Sequence, residues 1–139
     1  INAYKKLLLP IADLVTPNIY EANLLSGLEI RSKEDFENSA RNIIDLGAKA
    51  VLIKGGGLKD MKGKDFFLDL NGRKEWLFNN FINTNNTHGS GCTLSAAICG
   101  YKALGFELLD SIQRAKLFVE KSLEKSYKIG SGPGPLGHH

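Results

Sequence analysis

The chain has 139 residues, 42% of them hydrophobic and 24% charged, with a formal net charge of +3 at pH 7. That length suits a single domain, residues 1–139, with a core of its own. Its charges are mixed along the chain, with no basic tract for nucleic acid, no apolar run of membrane-spanning length and no signal-peptide pattern, so a cytoplasmic protein acting on small molecules is expected.

Ile1 to Leu9 carries no initiator methionine and no helix cap; it reads as the tail of a helix whose beginning lies elsewhere. Pro10 punctuates, and Ile11 to Thr16 is expected to be a short buried strand. Asn18 and Glu21 then stand at the spacing of a capping box, ahead of a helix with Ala22, Leu24 and Leu25 and a terminating Gly27. Ser32 and Asp35 repeat the pattern for a helix that turns Phe36, Ala40, Ile43 and Ile44 inward and ends at Gly47. Ala50 to Ile53 is continuously apolar, as in a strand buried on both faces. Lys54 and Gly55-Gly56-Gly57 follow it. Lys64 to Leu70 and Lys74 to Phe78 flank Asn71-Gly72, a strong hairpin signal, and are expected at an edge of the sheet.

The chain's most informative stretch is Thr84-Asn85-Asn86-Thr87-His88-Gly89-Ser90-Gly91-Cys92-Thr93-Leu94, after the short apolar pair Phe81-Ile82. Leu94, Ala97, Ile98, Tyr101 and Leu104 recur at helical spacing, so a helix begins inside it. A Gly-Ser-Gly turn at a helix start presents unpaired backbone N–H groups and the positive end of the dipole, the ingredients of a phosphate cradle. An ordinary glycine loop before a core helix has the same appearance. Cys92 and Cys99, seven residues apart on that helix, are about 10 Å apart and cannot bridge to each other; Cys99 reads as packing. Asp110 and Gln113 are placed to cap a last helix with Ile112, Ala115, Val119 and Leu123 inward. Gly130 to His139 reads as loop, its two histidines being native or the start of a purification tag.

Lys54, Glu21 and the Gly89-Ser90-Gly91-Cys92 turn would all lie on one edge if the strands were parallel. A lysine, a carboxylate and an anion hole are what phosphoryl transfer needs, since that reaction is catalysed by positioning and charge neutralisation. Lys54 would stabilise nucleotide phosphates, Glu21 would act on Mg²⁺ or its waters, and the turn amides would hold the developing charge. Cys92 would stand where a base takes the acceptor's proton. Plainer readings exist for each: a capping box explains Asn18 and Glu21, a solvated lysine explains Lys54, and a small residue at a helix start explains Cys92. The patterns GxxxxGK[ST] and GxSxG are absent, and Gly55-Gly56-Gly57 lacks the rest of a dinucleotide fingerprint.

Thr16-Pro17-Asn18-x-x-Glu21-Ala22, Lys54-Gly55-Gly56 and Asn86-Thr87-His88-Gly89-Ser90-Gly91-Cys92-Thr93-Leu94-Ser95 together resemble the hydroxymethylpyrimidine/phosphomethylpyrimidine kinases of thiamine biosynthesis, in the ribokinase-like superfamily. The resemblance runs over essentially the whole chain, including the closing Gly132-Pro133-Gly134-Pro135-Leu136. It implies an α/β three-layer sandwich, of which this chain would be the C-terminal, nucleotide-binding half, with a mostly parallel sheet and an antiparallel edge hairpin. It also implies Cys92 as catalytic base and Gly89, Ser90 and Gly91 as anion hole. Lys54, Thr84, Lys116 and Val119 would contact the nucleotide, and Asn18 and Glu21 would serve magnesium indirectly, through water or phosphate. ATP and Mg²⁺ are the implied co-substrate and cofactor. Gly57 departs from a histidine common in the family, and Asn83 from a frequent aspartate.

Two readings follow. One is a kinase, or its catalytic half, that phosphorylates hydroxymethylpyrimidine or its phosphate; pyridoxal/pyridoxine kinase is its nearest alternative. The other is a non-catalytic nucleotide-binding fragment. A homodimer covering an open sheet edge is expected in either case.

Overall fold

The first two helices start where local hydrogen bonds can hold them. Asn18 Oδ1 accepts the Glu21 N–H at 2.9 Å, and the Glu21 carboxylate accepts the Asn18 N–H at 2.8 Å, opening α1 (Ile19–Ser26). Gly27, at φ 76°, closes it. The Asp35 carboxylate accepts the N–H groups of Ser32 and Arg31 at 2.8 and 2.9 Å and opens α2 (Lys33–Asp45). Those bonds, the Arg31 N–H foremost and then the Ser32 hydroxyl and N–H, hold the Asp35 carboxyl below its ordinary value. Both capping boxes expected from the sequence are present. Ala22 and Leu25 of α1 are buried and Leu24 is exposed, while Phe36, Ala40 and Ile43 of α2 are fully buried.

The computed structural model describes residues 1–80, 82 and 84–138, so Phe81, Asn83 and His139 lie outside the described residues. The chain divides into two compact units, Ile1–Phe78 and Asn79–His139. In the first, a π-helical turn (Tyr4–Leu8) and a 3-10 turn (Leu9–Ile11) precede α1. Strands β1 (Ala50–Lys54), β2 (Lys64–Asp69) and β3 (Lys74–Phe78) form a sheet in the order β1-β2-β3.

Both pairings in that sheet are antiparallel, with Ile53 opposite Phe66 and Phe66 opposite Trp76. This corrects the expected mostly parallel sheet. The link from Lys54 to Lys64 is two tight 3-10 turns, shorter than the dozen or so residues a parallel crossover takes, so β2 can only return beside β1 in the opposite direction. The strand expected at Ile11 to Thr16 is not formed either. Ile11 ends a 3-10 turn, and the segment touches β1 only through single parallel bridges, Val15 to Val51 and Asn18 to Lys54. Pro17 between them has no N–H to extend a ladder. The hairpin at Asn71-Gly72 does form, with β3 at the edge.

Val51, Ile53, Phe66 and Leu68 pack with Phe36, Ala40 and Ile43 of α2 into one core. Trp76 closes it, its ring 5.1 Å from Phe36 and 5.0 Å from Phe66 between centroids. The Val, Ile, Leu and Phe side chains among these each contribute about 1.5–3 kcal/mol when taken from water.

The second unit is built on α3 (Ser90–Ala103) and α4 (Leu108–Glu124), which pack together and bury Leu94 and Ile98 of α3 and Leu109, Ile112 and Ala115 of α4. The expected cap of α4 is corrected: Glu107, not Asp110, occupies the N-cap, and Asp110 pairs instead with Arg114 at 3.0 Å. The helix starts early enough to place Leu109 in the core. Cys99, expected to pack, is exposed, as is Cys92, and both are free thiols. Leu104 lies past the end of α3 and is also exposed.

Candidate active site

Two of the expected strand ends meet in the first unit. The Lys54 N–H donates to the Pro17 carbonyl at 2.9 Å, and Asn18 bridges to Lys54, so the start of α1 lies beside the end of β1. Asn18, Glu21 and Lys54 are thereby neighbours along the chain edge. Asn18 and Glu21 already spend an amide oxygen and a carboxylate oxygen on each other's backbone.

The glycines after Lys54 are held from beneath. Asp65, buried and opposite Lys54 in the β1–β2 register, accepts the Gly55 N–H at 3.1 Å. Gly55 itself leaves no room for a side chain: a Cβ there would lie 2.1 Å from the Lys64 carbonyl oxygen. Neither feature was visible as chemistry in the sequence. A separate cleft of this unit, about 500 Å³, is lined by Arg31, Lys33, Lys59, Lys64 and others, not by Asn18, Glu21 or Lys54.

The remaining site residues belong to the second unit. Gly89 caps α3 in the left-handed conformation, at φ 87°, with nothing within 4 Å of where a Cβ would stand. The Ser90 N–H donates back to the Thr87 carbonyl at 3.2 Å, and Thr93 makes the first bond down the helix, to the Gly89 carbonyl at 2.8 Å. Between them the amides of Gly91 and Cys92 have no intrahelical acceptor. They, the helix dipole and the exposed Cys92 thiol form one small cluster at the mouth of α3. The arrangement can bind an anion with a thiol beside it.

Thr84 is tied in by its hydroxyl, which lies 3.2 Å from the Ser126 hydroxyl and accepts the Asn86 N–H at 3.1 Å. Lys116 is buried on α4, and its carbonyl accepts from the Asn79 side chain at 2.9 Å, while Val119 is half-buried one turn further on. Sequence reasoning missed Asn86, whose Oδ1 accepts the Gly134 N–H at 3.1 Å, joining the loop before α3 to the tail. The closing Gly-Pro-Gly-Pro-Leu was the signal that could have found it.

A family model described as phosphomethylpyrimidine kinase matches residues 1–137. The hydroxymethylpyrimidine/phosphomethylpyrimidine kinase of Synechococcus elongatus is 50% identical over 132 residues, 94% of this chain and 50% of that protein. Among solved structures, the pyridoxal kinase of Staphylococcus aureus in complex with AMP-PCP superposes with a TM-score of 0.93 at 37% identity, covering 99% of this chain and 50% of its own. The phosphomethylpyrimidine kinase of Clostridium difficile gives 0.71 at 33% identity, covering 85% of this chain and 46% of its own. The chain spans about half the length of the relatives it matches. Its fold is ribokinase-like α/β. By this match over nearly its full length, the chain belongs to the phosphomethylpyrimidine kinase family.

Proposed function

We propose that this chain is the nucleotide-binding portion of an ATP-dependent kinase that phosphorylates a hydroxymethyl group on a small nitrogen heteroaromatic ring. The observation that carries the reading is the mouth of α3: two helix-start amides without acceptors and an exposed cysteine, opened by a left-handed Gly89. Cys92 takes the hydroxyl proton as the acceptor oxygen bonds to the γ-phosphorus. The bond to the bridging oxygen breaks and ADP leaves with that electron pair. The amides of Gly91 and Cys92, in a turn shaped by Gly89 and Ser90, take up charge on the transferred group. Lys54 serves the nucleotide phosphates, and Thr84, Lys116 and Val119 serve the nucleoside side.

Among the described residues no group of three or more His, Cys, Asp or Glu side chains could hold a metal. Magnesium would arrive with the nucleotide and neutralise its phosphates, and Asn18 and Glu21 would serve it indirectly, through water or phosphate.

Pyridoxal is the acceptor favoured by the fold, since the S. aureus pyridoxal kinase superposes at 0.93 against 0.71 for the C. difficile enzyme. A hydroxymethylpyrimidine, free or phosphorylated, is the second reading, favoured by the 50% identity to the Synechococcus protein. Calorimetric titration with Mg-ATP should give saturable binding that Lys54→Ala weakens. Binding indifferent to that change would remove Lys54 from the site. In the active enzyme, Cys92→Ala should lower kcat by about 10²–10⁴-fold with nucleotide affinity retained. Transfer to pyridoxal but to neither pyrimidine, or the reverse, decides the acceptor.

A further inference from the structure

Three alternate residues of the loop before α3 bond to the segment that follows α4. Thr84 reaches Ser126 through its hydroxyl at 3.2 Å, Asn86 accepts the Gly134 N–H at 3.1 Å, and the His88 N–H donates to the Gly134 carbonyl at 3.2 Å. His88 and Pro135 form a parallel bridge. One residue after His88 the backbone turns through Gly89 into α3.

The tail is itself fixed. The Gly137 N–H donates to the Ser122 carbonyl at 3.0 Å, and Leu136 is buried. Gly134 has no room for a side chain: a Cβ there would lie 2.1 Å from the Tyr127 carbonyl oxygen and 2.6 Å from Asn86 Oδ1. By contrast a Cβ on Gly132 would meet nothing within 4 Å. The glycine at 134 is therefore demanded by contact and the one at 132 is not.

We infer that the tail is a splint for the mouth of α3: Asn86 and Gly134 are positioning residues that set the Gly89-to-Cys92 turn by tying it to the end of α4. The inference rests on the kinase reading only for its catalytic meaning. Its geometry stands apart from that reading, and the two can be tested separately. With the tie intact, the amides of Gly91 and Cys92 stay at the open start of α3. With the Asn86 bond cut, the backbone bond from His88 to Gly134 and the Ser90-to-Thr87 bond remain, and the side-chain tie is lost.

The test is the rate at which iodoacetamide alkylates Cys92 in the chain carrying Cys99→Ser, at fixed pH, with and without Mg-AMP-PCP. The thiol is exposed at the start of α3, so its alkylation rate reports the setting of the turn around it. Without nucleotide, Asn86→Leu should slow the reaction about two- to fivefold, the scale of a helix-start charge effect. Asn86→Asp, which keeps an acceptor for the Gly134 N–H, should restore the rate, and Gly132→Ala should match the parent. Gly134→Ala should slow it at least as much; if that variant does not fold, Asn86→Leu decides. A rate in Asn86→Leu equal to or above the parent's overturns the splint, as does an Asn86→Asp rate no better than that of Asn86→Leu. Failure of Mg-AMP-PCP to protect Cys92 in the parent counts against the kinase reading alone and leaves the ligand-free comparison standing.

Discussion

Gly55 follows β1 with an ordinary backbone angle and no room for a side chain, whereas Gly89 precedes α3 with open space around it and a φ of 87°. Both stand in turns expected to meet phosphate, and both look alike in the sequence. At Gly55 the demand comes from the carbonyls of Lys64 and Met61, which crowd the turn from residues further along the chain. At Gly89 it comes from the residue's own backbone, since a Cβ in the left-handed region meets its own carbonyl. The first turn is therefore fixed by tertiary packing and the second by local sterics.

The sharpest way to break this comparison is Gly55→Ala. Overpacking against a carbonyl should cost about 3 kcal/mol in urea unfolding, and a loss below about 1 kcal/mol would mean that the turn relaxes freely. Gly89→Ala should cost less, about 1–2 kcal/mol, because only the backbone objects. Asn tolerates that conformation better than Ala does, so Gly89→Asn should recover part of the loss. An equal cost for Ala and Asn would show that space, not angle, governs this turn after all. Asn18→Ala extends the local half of the comparison: losing the cap of α1 should cost about 1 kcal/mol in thermal unfolding.

The smallest effect is a pH dependence at the other cap. The Asp35 carboxyl is held below its ordinary value by the N–H groups and hydroxyl it accepts. Its stabilisation is accordingly complete above the unfolded-state value of about pH 4 and is lost as pH falls through the lowered folded value. The melting temperatures of the parent and Asp35→Asn should differ at pH 7 and converge toward pH 3. A constant gap would assign the effect to something other than charge.

Much of this molecule was legible because its signals are short. Asn18 with Glu21 and Ser32 with Asp35 act over three residues, so each box could be read from spacing alone, as could the hairpin at Asn71-Gly72. The cap of α4 failed for the opposite reason. Asp110 has the right chemistry, but burying Leu109 moved the helix start to Glu107. At the candidate site, Gly89 to Cys92 was recognisable as a helix-start cluster, while the buried Asp65 beneath Gly55 gave no sign among the apolar residues of β2.

By itself, then, the sequence determined where α1 and α2 begin and where the hairpin turns, because those depend on neighbours a few positions away. Only the tertiary structure decided that β1 pairs with β2 in the antiparallel sense, that Gly55 is crowded, and that Asn86 meets Gly134 across the chain. Pairing direction followed from the length and path of the connection, and the contacts from surfaces that exist only once the elements have packed.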